Sequence, residues 1–250
     1  MPHVVDHIWF LLLSVLFPLY GRFFGYARLL RAAPEDLPRV RRRLYRSGML
    51  LQWTLTALTL AIWVWAGRPA DALGLVPHSN SAFWATAVVI ALGVLAGLVQ
   101  RKRILGDPNA LARIRRQFGS IERMIPHDRE ELSLFLRLSL TAGICEELLY
   151  RGYVICYLAA WMPSLAALFV ASAIFGIGHS YQGASGVVKT GLIGLGLGAI
   201  YLYTRSLYLG MIMHALIDMY SGHLGQAAFS QPAEARVATA PGGAETPTAV

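Results

Sequence analysis

Three short runs hold most of the residues in this chain that could do chemistry. The first is Cys145-Glu146-Glu147-Leu148-Leu149-Tyr150-Arg151-Gly152. On a helix each residue advances about 100°, so Glu147 and Arg151 lie roughly 40° apart on one face and can pair. Glu146 points about 140° away from Arg151 and lacks that partner within the helix. A carboxylate without a partner is suited to take up or give a proton as a general base or acid. One ion pair gluing two helices needs only one of the two glutamates, so the second asks for another role. The second run is Phe175-Gly176-Ile177-Gly178-His179, which places Phe175 and His179 on one helical face. The third is His214-Ala215-Leu216-Ile217-Asp218, again an i,i+4 pair. An Asp beside a His fixes the tautomer and orientation of the ring, as in catalytic triads and behind metal-bound histidines. Each run also has a structural reading: a helix-gluing ion network, an interfacial histidine and a local hydrogen bond.

The elements that must position these runs are set by composition. Of 250 residues, 56% are hydrophobic and 14% charged, against about 25% charged in soluble chains. The mean hydropathy is +0.50. These values exclude a disordered chain, a solvated coiled coil and an ordinary soluble enzyme. They predict an all-α fold, a polytopic transmembrane helical bundle of about seven spans, since a helical span needs about 20 apolar residues. The candidate spans are roughly 7–24, 48–66, 81–99, 132–160, 164–180, 186–204 and 206–222. The first lacks the positive n-region and small-residue cleavage site of a signal peptide and reads as a helix. The sixth contains Gly191, Gly194, Gly196 and Gly198. That density of small residues suits close packing within a bundle.

Charge supplies orientation. The net charge is +8 and the isoelectric point about 9.8. The basic residues lie between apolar runs, which points to anionic lipid headgroups and not to nucleic acid. Residues 25–47 carry seven Arg against Glu35 and Asp36, and residues 100–131 carry eight Lys or Arg against five acids. Both linkers are therefore expected in the cytoplasm, with the C-terminus on the same side. Residues 101–129 read either as an amphipathic helix on the inner leaflet or as a solvated connector. The divisions expected are 1–131 (N-terminal helices with basic linkers), 132–222 (the polar core) and 223–250 (a disordered tail). His3, His7, His78, His127 and His223 lie outside spans or near their ends and read as solvated.

Within the spans the acids are Glu146, Glu147 and Asp218, and the bases expected to be buried are Arg137, Arg151 and Lys189. Ionisable groups in hydrocarbon cost at least about 2.5–3.5 kcal/mol each. The polar half of the chain is thus expected to gather its charges in one interior site. Cys145 and Cys156 are too few for a disulfide framework. HExxH, GxSxG, Walker A and dinucleotide-binding glycine patterns are absent.

Taken together and in order, Glu146-Glu147…Arg151, Phe175…His179 and His214…Asp218 resemble the EExxxR, FxxxH and HxxxN/D motifs of the CPBP (CAAX protease and bacteriocin-processing, or Abi) family of intramembrane proteases. The resemblance covers roughly residues 132–222. Asp218 stands where the prenyl-protein proteases typically carry Asn. The resemblance implies an all-helical membrane domain that hydrolyses a peptide bond of a membrane-associated protein or peptide. It implies Glu146 as the base that activates water, His179 as a holder of that water, and Glu147 with Arg151 as an electrostatic pair. His214, supported by Asp218, would meet the oxyanion. Glu146, His179 and His214 are also the ligand types for Zn²⁺, and the sequence leaves open whether the cofactor is zinc or none.

Two other functions compete. One is a proton- or cation-coupled transporter using the same buried groups; no internal repeat supports it. The other is a non-catalytic immunity or scaffold protein of the same fold. With 20 Arg and 2 Lys, composition suggests a GC-rich genome and hence a bacterial inner membrane.

Overall fold

A computed structural model describes residues 2–76 and 79–230 of the chain. Eight helices account for nearly all of it, and there is no strand among the described residues. In chain order they are α1 (Val4–Arg31), α2 (Leu37–Trp65), α3 (Ser81–Leu105), α4 (Pro108–Phe118), α5 (129–159), α6 (Ser164–Gly178), α7 (Ala184–Thr204) and α8 (Tyr208–Phe229). Helices α1, α2, α3 and α7 are each long and apolar enough to cross a membrane, and α6 is a shorter apolar helix. All seven predicted spans fall on helices. Those of α5 and α8 carry the charged runs, which lowers their apolarity. The protein is an integral membrane protein of helical-bundle class.

Local chemistry explains where the helices start and stop. Asp128 caps α5 by accepting a hydrogen bond from the Glu131 N–H at 2.7 Å. Pro163 ends the descent from α5 and immediately precedes α6. Residues Glu147–Val154 of α5 are π-helical, so the chemical run sits on a widened stretch of one continuous helix. Helix α5 packs between α2 and α8, and α6 packs along α7. The largest apolar core lies among α1, α2, α5 and α6 and includes Leu13, Leu55, Tyr153, Leu168 and Phe175. Helix α3 is peripheral: Ile90 is its buried residue.

Several sequence expectations change. The linker 25–47 is mostly helix, broken only around residues 32–36. Arg41, counted there as a surface charge, is 1% exposed. Its guanidinium pairs with buried Glu131, and its Nε donates to the Arg123 carbonyl at 2.9 Å. Arg137 and Lys189, expected to be buried, lie on outward faces. Both are in the half of their helix nearer the basic end, where long stems can carry the charge to headgroups. Asp6 is buried, held by Arg68 and by the Tyr153 hydroxyl at 3.2 Å. His7 is not free either, because its Nδ1 lies 2.7 Å from the Tyr157 hydroxyl.

The last helix also passes the point where a tail was expected to begin. Leu224, Gly225, Ala228 and Phe229 are buried helical residues of α8. Ala228 and Phe229 pack with Leu111 of α4 and with Ile125. The apolar side of α4, with Leu111, Ile114 and Phe118, thus packs against the end of α8, a contact that neither reading of this stretch included. Residues 231–250 and His78 lie outside the described residues.

Candidate active site

The site begins with a contact between two backbones. A Cβ added at Gly143 would lie 2.7 Å from the Met211 carbonyl oxygen and 2.8 Å from the Ala215 nitrogen. Only a residue without a side chain fits there, so α5 and α8 touch main chain to main chain. One turn along each helix, Glu147 and His214 then meet. Glu147 Oε1 lies 2.8 Å from His214 Nδ1 and accepts from Arg151 Nη1 at 2.8 Å. Glu147 is fully buried, and Arg151 is 2% exposed. The pairing of Glu147 with Arg151 follows the spacing along the helix. The Glu147–His214 contact spans two helices and was not visible from spacing.

Glu146 faces another way. Its Oε1 accepts a hydrogen bond from Gln52 Nε2 of α2 at 2.7 Å. Its Oε2 lies 3.9 Å from His214 Nε2. Asp218 Oδ2 stands 3.7 Å from the same Nε2. The geometry therefore divides the two ring nitrogens of His214. Nδ1 is held by Glu147, and Nε2 faces the carboxylates of Glu146 and Asp218. Asp218 was expected to orient His214, yet the short contact to the ring comes from Glu147.

Phe175 gathers the remaining groups. Its ring lies 4.7 Å from that of His179 and 6.0 Å, edge-on, from that of His214. The Arg151 guanidinium carbon sits 4.2 Å from the Phe175 centroid, a cation–π contact. Gly194 of α7 makes room for this stack: a Cβ there would meet Arg151 Nη2 at 3.0 Å and Phe175 Cδ1 at 3.1 Å. His179, at the end of α6, places Nδ1 2.8 Å from the Phe175 carbonyl oxygen. A carbonyl only accepts, so Nδ1 carries a proton, and the neutral ring offers a lone pair at Nε2.

The structure thus brings Glu146, Glu147, Arg151, His214 and Asp218 within 4 Å of one another in sequence of contacts. His179 joins them across the Phe175 ring. Glu146, His179 and His214 do not form a metal-holding set as placed: among the described residues, no group of three His, Cys, Asp or Glu side chains stands close enough to hold an ion. The residue that spacing alone missed is Gln52. A single amide in an apolar run of α2 carries no pattern, although an uncharged polar group at that depth is itself a signal.

Residues 128–220 match the family model described as type II CAAX prenyl endopeptidase, Rce1-like. No curated protein and no solved structure matches the chain. The matched segment holds all three runs and every site residue named above except Gln52. By that match residues 128–220 are similar to the CAAX prenyl endopeptidase family, the resemblance that the three motifs carry.

Proposed function

We propose that this protein hydrolyses a peptide bond of a membrane-associated protein or peptide, with Glu146 as the base. The observation that carries the reading is the split environment of the two glutamates. Glu147 binds both Arg151 and His214 Nδ1 through Oε1, at 2.8 Å each, whereas Glu146 meets neither within hydrogen-bond distance and directs Oε2 at His214 Nε2. A separation of 3.9 Å is one that a bridging oxygen can span.

In this reading a water between Glu146 and His179 gives a proton to Glu146 Oε2, and its oxygen bonds to the scissile carbonyl carbon. His179 Nε2 accepts the second hydrogen of that water and fixes its direction. The negative charge that develops on the carbonyl oxygen is met by His214, protonated and donating from Nε2. Glu146 then returns its proton to the departing amide nitrogen as the C–N bond breaks. Glu147 holds the imidazole in place, and Arg151, stacked on Phe175, holds Glu147.

The membrane is proposed to be a bacterial inner membrane, with the arginine-rich end cytoplasmic. Arg39, Arg42, Arg43 and Arg46 cluster at that end of α2. The test is cleavage of a membrane-tethered peptide library by purified wild type and by Glu146→Ala. Specific cleavage lost in the variant is expected. Equal cleavage by both would remove Glu146 from the mechanism. Cleavage that stops on exhaustive chelation, with stoichiometric zinc in the purified protein, would replace this reading with a metalloprotease.

A further inference from the structure

Helix α2 lies outside the segment that matches the family model, yet it sends one side chain into the site. Gln52 is 8% exposed and donates from Nε2 to Glu146 Oε1 at 2.7 Å. An ionised carboxylate can only accept, so the amide nitrogen and not its oxygen faces it. The amide oxygen, Gln52 Oε1, is buried and has no hydrogen-bond partner. One turn further along the same face, Thr56 is also buried. A glutamine serving only as glue between α2 and α5 would be expected to satisfy both ends of its amide. This one leaves its oxygen unsatisfied and gives its donor to Glu146, which has no hydrogen bond to Arg151 or His214.

We infer that Gln52 is a positioning residue that makes the two oxygens of Glu146 unequal, tying down Oε1 so that Oε2 is the oxygen turned toward His214 Nε2 and the reacting water. The inference rests on the proposed role of Glu146 and extends it. Without the donor, the carboxylate could rotate about its last bond and offer either oxygen, and the aim of the base would be lost. A group that aims another acts on the rate of the bound complex and leaves substrate affinity nearly unchanged. The N-terminal helices would then be part of the enzyme's working geometry as well as its scaffold.

Gln52→Met keeps length and volume and removes the donor. Two measurements on it test the inference. The first is kinetic: kcat should fall about 10–100-fold, the range for a misaimed catalytic group, with KM unchanged. The second needs no substrate. Hydrophobic carbodiimides react with protonated carboxyl groups, and a carboxylate that loses a donor takes up a proton more readily. Labelling of Glu146 at fixed pH, mapped by mass spectrometry, should therefore rise several-fold in Gln52→Met, while labelling of Asp218 stays level. If the variant does not fold, Gln52→Asn keeps the polarity and withdraws the amide by one methylene; it should show the same two changes. Equal Glu146 labelling in wild type and variant overturns the inference, whatever the cleavage result. Raised labelling in a protein whose wild type cleaves nothing supports the Gln52–Glu146 link and overturns the hydrolytic reading alone.

Discussion

Two of the buried charge groups in this bundle are built on opposite plans. At the basic end, Arg41 meets one carboxylate, Glu131, and its Nε goes to a main-chain carbonyl. Arg123 beside it donates to the carbonyls of Leu29, Leu30 and Ala32. Arg41 and Glu131 are matched one to one, and the donors of Arg123 and the Arg41 Nε stitch backbone segments together. Midway along α5 the count is uneven: Glu146, Glu147 and Asp218 surround one arginine and one imidazole. A balanced pair in a low dielectric has little reason to exchange protons. A cluster with surplus carboxylates can do so, and that surplus separates a working site from a clamp.

The sharpest way to break this comparison is Glu146→Gln. It keeps shape and removes the base. Cleavage should fall by about 10²–10⁴-fold, the usual worth of a general base, while the melting temperature in detergent stays close to wild type. A variant that melts early and still cleaves would reverse the roles given to the two clusters.

Next come the clamps. Arg41→Leu leaves Glu131 buried and unpaired, at a cost of about 3–5 kcal/mol. Glu147→Gln should cost a similar amount, since Arg151 loses its ion-pair partner. The two should then part company. Folded Arg41→Leu should turn over normally, because its cluster touches no reacting atom, whereas folded Glu147→Gln should be slow, because His214 loses its anchor. Denaturation midpoints read alongside turnover per folded molecule decide this.

A smaller effect is expected at Asp218. It stands 3.7 Å from His214 Nε2, and Glu147 already fixes the ring from the other side. Asp218→Asn should keep activity within roughly a few-fold, because the amide oxygen still accepts. A loss as large as that of Glu146→Gln would make Asp218 a second proton-exchanging group.

The smallest effect concerns pH at the clamp. Burial, reinforced by the nearby Arg41 charge, holds the His127 imidazole below its ordinary range. Above about pH 6.5 neither the folded nor the unfolded state carries that proton, and stability is unaffected. Below it the unfolded chain binds the proton first, so stability falls as pH drops toward the folded value. His127 stacks on Phe229 with ring centroids 5.6 Å apart. His127→Phe should keep the stack and flatten the decline between pH 7 and 5 by a few degrees of melting temperature at most. An unchanged slope would assign the decline to other groups.

Much of this plan is legible from the sequence. Seven apolar runs announce seven helices, because runs of about 20 apolar residues satisfy their backbone in hydrocarbon within the segment itself. The Glu147–Arg151 pair follows from an i,i+4 spacing. What stays hidden is whatever depends on which faces of different helices meet. Glu147 reaches His214 only because Gly143 lets α5 and α8 touch, and nothing in either run says so. Arg41 and Glu131 are concealed for the opposite reason: they lie in charged stretches where burial is the exception. Gln52 is concealed because one amide makes no pattern. Arg137 and Lys189 mislead because sequence depth does not tell which face of a helix a side chain occupies.

The contact at Gly143 has a consequence for biosynthesis. Glu147 and His214 are 67 residues apart in the chain. Translation at about 5–20 residues per second separates their emergence by about 3–13 seconds. Throughout that interval the growing chain holds Glu147 beside Arg151 without the imidazole that Glu147 anchors. The reactive arrangement cannot exist until α8, the last of the described helices, has entered the membrane and slid against α5. On the proposed mechanism, a half-made copy would lack the assembled site.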